Sequence, residues 1–235
     1  ATDVGDVVLA GNGYAYTVTG DDYGADELRS LNLTTGVETP AGGFNIYAGS
    51  RARLHPSGNF LYHSSPPNYS PSDVSKWDIR SGTAEFLYDS PYHGEFEGCG
   101  DLWMSDDGLR IFTRCGVAFH SSTVSANDLI YAGSLEGVEH LRHLDESSIA
   151  NKVVAIPDPE PFSEPKPDHS VRIHEADFLD FERSIDLPSS VVGGQAQPAD
   201  GRFVFISADG TRIFVIVQAS EELGARDFAL LTYEL

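Results

Sequence analysis

Lysine is nearly missing from this chain, and long apolar runs are missing altogether. Lysine occurs only at Lys76, Lys152 and Lys166 in 235 residues, which excludes polybasic membrane anchors and nuclear-import patches. The longest uninterrupted apolar stretches, such as Phe203-Val-Phe-Ile206 and Ile213-Phe-Val-Ile-Val217, end after four or five residues, whereas a helix crossing a bilayer takes about 20. No membrane span is therefore expected. Helical periodicity is scarce as well: only residues 136–144 and 176–185 offer any, and both read as strand with loop. Basic residues number 15 against 36 acidic ones, a formal charge of −21, and such a field repels phosphate backbones. Nucleic acid is thereby excluded as a partner. The apolar share of 40% suffices for a proper core and excludes disorder, and the length fits one large all-β domain or two small ones.

There are two cysteines, Cys99 and Cys115. Between them lie two strand-like runs joined by a turn at Asp106-Asp107-Gly108. If Ser105 opposes Leu109 across a three-residue loop, their numbers sum to 214, as do 99 and 115. The cysteines then face each other across the ladder with Cα atoms about 4.5–5.5 Å apart, within disulfide reach. A disulfide is expected, with two buried free thiols as the alternative. It implies an oxidising setting: extracellular, cell-surface or periplasmic.

What the sequence does contain is a repeat. Leu54-His-Pro-Ser-Gly58-Asn-Phe-Leu-Tyr62, Met104-Ser-Asp-Asp-Gly108-Leu-Arg-Ile-Phe112 and Ile206-Ser-Ala-Asp-Gly210-Thr-Arg-Ile-Phe214 align on a glycine. Each reads as strand, tight turn with positive φ at the glycine, and second strand. The glycines lie 50 and then 102 residues apart, so one copy belongs between the last two, and a degraded one occurs at residues 147–155 with Asn151 in the glycine's place. A further copy opens the chain at residues 7–16. Leu31-Asn-Leu-Thr-Thr-Gly36 and Trp77-Asp-Ile-Arg-Ser-Gly82 supply a third strand and another turn after the hairpin.

Four strands per 45–50 residues is the unit of a β-propeller blade. The two hairpin runs around Phe203 and Ile213 are apolar on both faces, as expected of sheets covered on both sides; a sandwich, with one wet face per sheet, is the structural alternative. The fold expected is thus all-β, a propeller of about five four-stranded blades at 1–49, 50–98, 99–146, 147–197 and 198–235. The last blade stops at its third strand, and the spare segment is residues 1–6. The chain is either a loosely closed five-bladed ring or part of a longer, seven-bladed one; an unclosed piece would expose apolar faces and self-associate.

His55-Pro-Ser-Gly-Asn-Phe-Leu-Tyr62 resembles the "HPDGxxLYV" hairpin of bacterial YVTN and WD-repeat-like propellers of surface-layer and secreted proteins, and Trp77-Asp-Ile-Arg-Ser-Gly82 resembles their "xxDxxTG" outer turn. The resemblance covers nearly the whole chain through structural residues, so it implies fold more than function. It implies a non-catalytic protein that binds a protein or carbohydrate partner at the cell surface. Lactonase-type propellers carry similar hairpins, and five-bladed glycosidases set acidic groups at the axis, so a hydrolase or lactonase is the alternative.

If a blade's strands run A to D, the A–B and C–D turns share one face and the B–C and D–A loops the other. The expected long loops, at 20–27, 64–73, 90–98, 121–128, 157–169 and 219–227, are assigned to that second face, where binding is expected. Its candidate ligand-binding residues are Tyr69 in a proline-stiffened loop, then Tyr92, His93, Glu95 and Glu97 just before Asp101, aromatic rings beside carboxylates as in sugar sites. Asp21, Asp22 and Asp26 suit calcium at millimolar levels, without EF-hand spacing. His140 and His143 would share a face only on a helix, so no zinc pair is read there. With no Gly-x-Ser-x-Gly elbow or metal-ligand triad, no residue is assigned a catalytic or metal-binding role.

Overall fold

The three aligned glycines all adopt the left-handed backbone, with φ of 72° at Gly58, 74° at Gly108 and 71° at Gly210. Each closes the same turn. Its N–H bonds to the carbonyl three residues back, on His55, Ser105 and Ser207, at 2.8–3.0 Å. The strands flanking each turn therefore return antiparallel. Asn151 takes φ of 53° at the degraded copy, a conformation that asparagine tolerates better than most residues.

The computed structural model describes residues 4–19, 27–41, 46–66, 73–96, 98–158, 169–192, 194–219 and 228–235. These form five four-stranded antiparallel sheets with almost no helix. The first comprises β1 (Val4–Leu9), β2 (Tyr14–Thr19), β3 (Leu28–Asn32) and β4 (Glu38–Ala41), and the second β5 (Arg51–Leu54), β6 (Phe60–Ser64), β7 (Val74–Asp78) and β8 (Glu85–Asp89). The third holds β9 (Leu102–Met104), β10 (Arg110–Thr113), β11 (Val117–His120) and β12 (Tyr131–Ser134). The fourth holds β13 (Leu141–Ser147), β14 (Lys152–Pro157), β15 (Ser170–Glu175) and β16 (Phe181–Asp186). The fifth holds β17 (Ser189–Val192), β18 (Gln195–Ile206), β19 (Arg212–Ala219) and β20 (Phe228–Glu234). The chain divides into two units, Ala1–Ala132 and Gly133–Leu235.

Residues 136–144 and 176–185 are strand with loop, contributing to β13 and β16. Several details differ from expectation. Val4 and Asp6 pair with Thr19 and Val18, so the supposed spare segment extends the first sheet. The fifth sheet has four strands because β18 is long enough for two partners, β17 along Gln195–Pro198 and β19 along Ala199–Ile206. In the third sheet the second turn is the short one, residues 114–116, and the long connection, residues 121–130, comes after β11. Ser121 N–H bonds to the Leu109 carbonyl at 2.8 Å, which places that connection beside the Gly108 turn and not on the opposite face.

The cysteines meet despite a register error of one. Met104 pairs with Ile111 and Leu102 with Thr113, so paired numbers sum to 215, and Leu109 belongs to the loop. Cys99 would then miss Cys115 in a continued ladder. Instead Cys99 and Gly100 leave the strand with φ of 59° and 87°, and their departure brings the two sulfurs to disulfide distance with Cα atoms 5.5 Å apart.

In the first unit, Tyr16, Val18 and Leu28 of the first sheet bury against Leu61, Trp77 and Ile79 of the second. The other face of the second sheet, with Tyr62 and Val74, buries against Leu102, Ile111 and Phe119 of the third. Adjacent residues Leu61 and Tyr62 are thus both fully buried, on opposite faces. In the second unit Val154, Ile156 and Ile173 of the fourth sheet pack on Val204, Ile213 and Val215 of the fifth. The fifth sheet departs from the expectation of full cover on both sides: Phe203 and Phe205 remain 46% and 42% exposed, each with the His143 ring of β13 5.2 Å away.

Strands of neighbouring sheets are tied through side chains. Asp6 of β1 accepts the Ala52 N–H at 3.0 Å and the Arg53 guanidinium at 2.9 Å, and Arg53 reaches on to Asp101 at 2.6 Å. In the second unit His143 and Asp145 of β13 accept the N–H groups of Val204 and Ile206 at 3.3 and 2.7 Å. The bonds from the Ala52, Val204 and Ile206 N–H groups cap backbone donors on strand edges, which would otherwise invite another strand.

His63, on the Leu61 face of β6, is fully buried, and neither ring nitrogen has a hydrogen-bond partner among the described residues. Burial depresses its pKa from 6.5 to about 4. The unfolded chain therefore binds one more proton between those values, so this group's contribution is full above pH 6.5 and declines as pH falls toward 4, by up to about 3 kcal/mol. Urea unfolding of wild type and His63→Leu across that window should show the shallower slope in the variant; equal slopes would remove His63 from the explanation.

Candidate functional site

A buried polar network lies between the second and third sheets and depends on Asp128. Its carboxylate is fully buried, and burying a charge is unfavourable unless every lone pair finds a donor. Here they do. Oδ1 accepts the Ser122 N–H at 2.7 Å and the Tyr62 hydroxyl at 3.0 Å, while Oδ2 accepts Lys76 Nζ at 2.7 Å and the Tyr88 hydroxyl at 2.9 Å. Lys76 is 2% exposed, donates also to the Ser122 carbonyl at 2.7 Å, and lies 4.4 Å from the Phe60 ring centroid. Burial pushes the Tyr62 phenol far above its usual range, with Ser121 opposing and the Asp128 charge adding. Burial also raises the Tyr88 phenol, aided by its bond to Asp128. Both hydroxyls therefore stay protonated and donate.

This network holds residues 121–130 against the Gly108 turn and shapes two adjoining hollows. One, of about 540 Å³, is lined by Leu109, His120, Ser121, Ser122, Asn127 and Ile130, with Ala126. The other, of about 230 Å³, shares Leu109, Ser121 and Ser122 and adds His55, Phe60 and Lys76 at its base. His55 is itself fixed, Nε2 lying 2.9 Å from the Gly108 carbonyl and Nδ1 2.8 Å from Ser57 Oγ. Chemically the base is closed upon itself, whereas the rim offers hydroxyl, amide and imidazole groups beside Leu109 and Ile130.

The residues expected to form the site are placed elsewhere. Tyr69 and Glu97 lie outside the described residues, as do Asp21, Asp22 and Asp26. Tyr92 is half-buried, edge-on to Phe96 at 4.8 Å and near Phe119 at 6.2 Å, and its hydroxyl accepts the Tyr131 N–H at 3.2 Å. Its ring packs the third sheet. His93 is exposed and its Nδ1 lies 3.1 Å from the buried Asp73 carboxylate; that hydrogen bond raises the histidine pKa, while burial raises that of Asp73 against the pull of His93. Glu95 is exposed. Asp101 is half-buried and held by Arg53 and the Leu102 N–H, with burial raising its pKa against the opposing guanidinium. None of these residues lines either hollow.

Lys76, Asp128, Tyr62 and the rim residues escaped notice in the sequence. One signal was available: one of only three lysines, Lys76, sits within a strand of the repeat, beside Trp77.

No protein-family model and no curated protein matches the chain. Among solved structures it is similar to the computationally designed Ika8 protein, crystallised in P63, with a TM-score of 0.62 and 14% identity over 99% of this chain. The chain spans 58% of that protein's length. At this identity the likeness shows the fold alone.

Removing one member of the buried pair strands the other. Lys76→Met should lose about 3 kcal/mol of stability, and Lys76→Met/Asp128→Leu less than the sum of the single changes. Chemical unfolding of the cycle provides the check, and a single-variant loss below about 1 kcal/mol would contradict the network's role.

Proposed function

We propose that the chain is a non-catalytic β-propeller-type module that binds a carbohydrate or protein partner outside the cytoplasm. The observation carrying this reading is the division of labour around Asp128. The titratable groups at the base satisfy one another, leaving the rim of the 540 Å³ hollow to contact a ligand. That volume is in the range of small-ligand sites. Leu109 and Ile130 suit the C–H face of a sugar ring, and Ser121, Ser122 and Asn127 suit its hydroxyls. Five four-stranded sheets built on one recurring glycine hairpin support the propeller reading. The cysteine pair at disulfide distance and the charge of −21 support the extracellular or periplasmic setting.

Hydrolase or lactonase chemistry has less support. Asp6 and Asp101, at the first strands of the first and third sheets, both bind Arg53, and each accepts a backbone N–H. Two carboxylates clamped in this way act as structural ties.

Retention on an immobilised panel of neutral hexose and N-acetylhexosamine oligosaccharides, alongside cell-surface proteins, tests the proposal. Leu109→Asp and Asn127→Ala should each weaken retention about tenfold or more, while Tyr92→Phe leaves it unchanged. Undiminished binding by the rim variants, retention of no panel member, or hydrolysis of any glycan would overturn the reading.

A further inference from the structure

The side chains of Lys76 and Asp128 are 2% and 0% exposed, and Nζ lies 2.7 Å from Oδ2. The Phe60, Tyr62 and Tyr88 rings stand 4.4, 5.1 and 5.9 Å from Nζ, measured to their centroids, so water has little access to the pair. Taking two charges out of water is costly. A proton passed from Nζ to Oδ2 removes both charges and leaves an amine beside a carboxylic acid. With Nζ at hydrogen-bond distance from one carboxyl oxygen, Cγ, one bond beyond, is close to the about 3–3.5 Å at which reacting atoms are poised.

The surrounding donors divide between the two carboxyl oxygens. Oδ1 accepts the Ser122 N–H at 2.7 Å and the Tyr62 hydroxyl at 3.0 Å, two donors placed as for the oxyanion of a tetrahedral intermediate. Oδ2 faces Nζ and the Tyr88 hydroxyl, the latter at 2.9 Å, as a departing oxygen requires. Nζ also donates to the Ser122 carbonyl at 2.7 Å, which holds the amine in place. We propose that Lys76 and Asp128 condense to an intramolecular amide, a covalent cross-link between β7 and the connection at residues 121–130.

In this step the Nζ–Cγ bond forms and the Cγ–Oδ2 bond breaks. Of the three protons on Nζ, two leave on Oδ2 as one water, and the third stays on the amide nitrogen, where the Ser122 carbonyl accepts it. The ion pair is neutral as a whole, as are its products, so no co-reactant is needed. Lys152 and Glu182 provide the contrast: Nζ and Oε1 are 2.6 Å apart, but the side chains are 26% and 36% exposed, and hydration there favours separate charges over the amide. The cross-link joins residues 52 positions apart and closes a loop of chain that contains both cysteines, which restricts the unfolded state.

Intact-mass spectrometry of the full chain under denaturing conditions should find wild type lighter by one water than its disulfide-bonded sequence. Trypsin should leave Lys76 uncleaved, and its peptide should be joined to the one that holds Asp128. Lys76→Arg keeps the charge but cannot form the amide and should have the full mass. Tyr62→Phe, lacking one Oδ1 donor, should form the bond at least tenfold more slowly in freshly synthesised protein. The wild-type mass and peptide map carry the test even where a variant fails to fold. Wild type at full mass, a water lost instead as a cyclic imide at Asp107-Gly108, Asp200-Gly201 or Asp209-Gly210, a cross-link at another lysine, or Tyr62→Phe reacting at the wild-type rate would each overturn the proposal.

Discussion

A β-sheet whose residues are apolar on both sides has to be covered on both sides, and nearly every feature of this chain follows from that requirement. In the second sheet Leu61 and Tyr62 are neighbours in sequence and lie fully buried on opposite faces. Neither could be so with a single adjacent sheet. The glycine hairpin delivers the arrangement repeatedly, because one left-handed residue per turn suffices to send the chain back antiparallel, and the meander then presents a new two-sided sheet to its neighbour. Edge control follows from the same need. Closely stacked sheets bring first strands near one another, and Asp6, Asp145 and His143 cap donors that stacking alone leaves free.

The polar network at Asp128 is a second consequence. A connection of ten residues, 121–130, must lie against the packed edge of two sheets, where water is scarce. A carboxylate with four donors fixes it there, and the resulting rigidity defines the rim of the hollow. Lys76, Tyr62 and Tyr88 come from strands of the second sheet and Ser122 from the loop, so the site joins residues up to 66 positions apart in sequence. Its shape depends on the sheets being stacked. Unstacking them would remove the hollow together with the ion pair.

The legible parts of the sequence were the local ones. Gly58, Gly108 and Gly210 announce their turns because positive φ is a demand on one residue, and alternation announced the strands. The cysteine pairing was legible in outcome and misjudged by one residue in register, since nothing local decides whether Leu109 ends the loop or begins the strand. Tyr92 and Asp101 have side chains typical of binding sites, yet here they pack an aromatic cluster and hold an arginine, through partners distant in sequence, Phe119 and Tyr131 for the one and Arg53 for the other. Lys76 and Asp128, 52 positions apart, could be paired only in three dimensions. Apolar residues at Phe203 and Phe205 record that a face needs cover, and the sequence alone does not tell whether the cover is present.

The dependence on two-sided cover is most directly measured by native-state amide hydrogen exchange in dilute, monomeric protein. Amides of β6, buried on both faces, should exchange at least tenfold more slowly than those of β19, buried on one. Equal protection in the two strands would contradict the account.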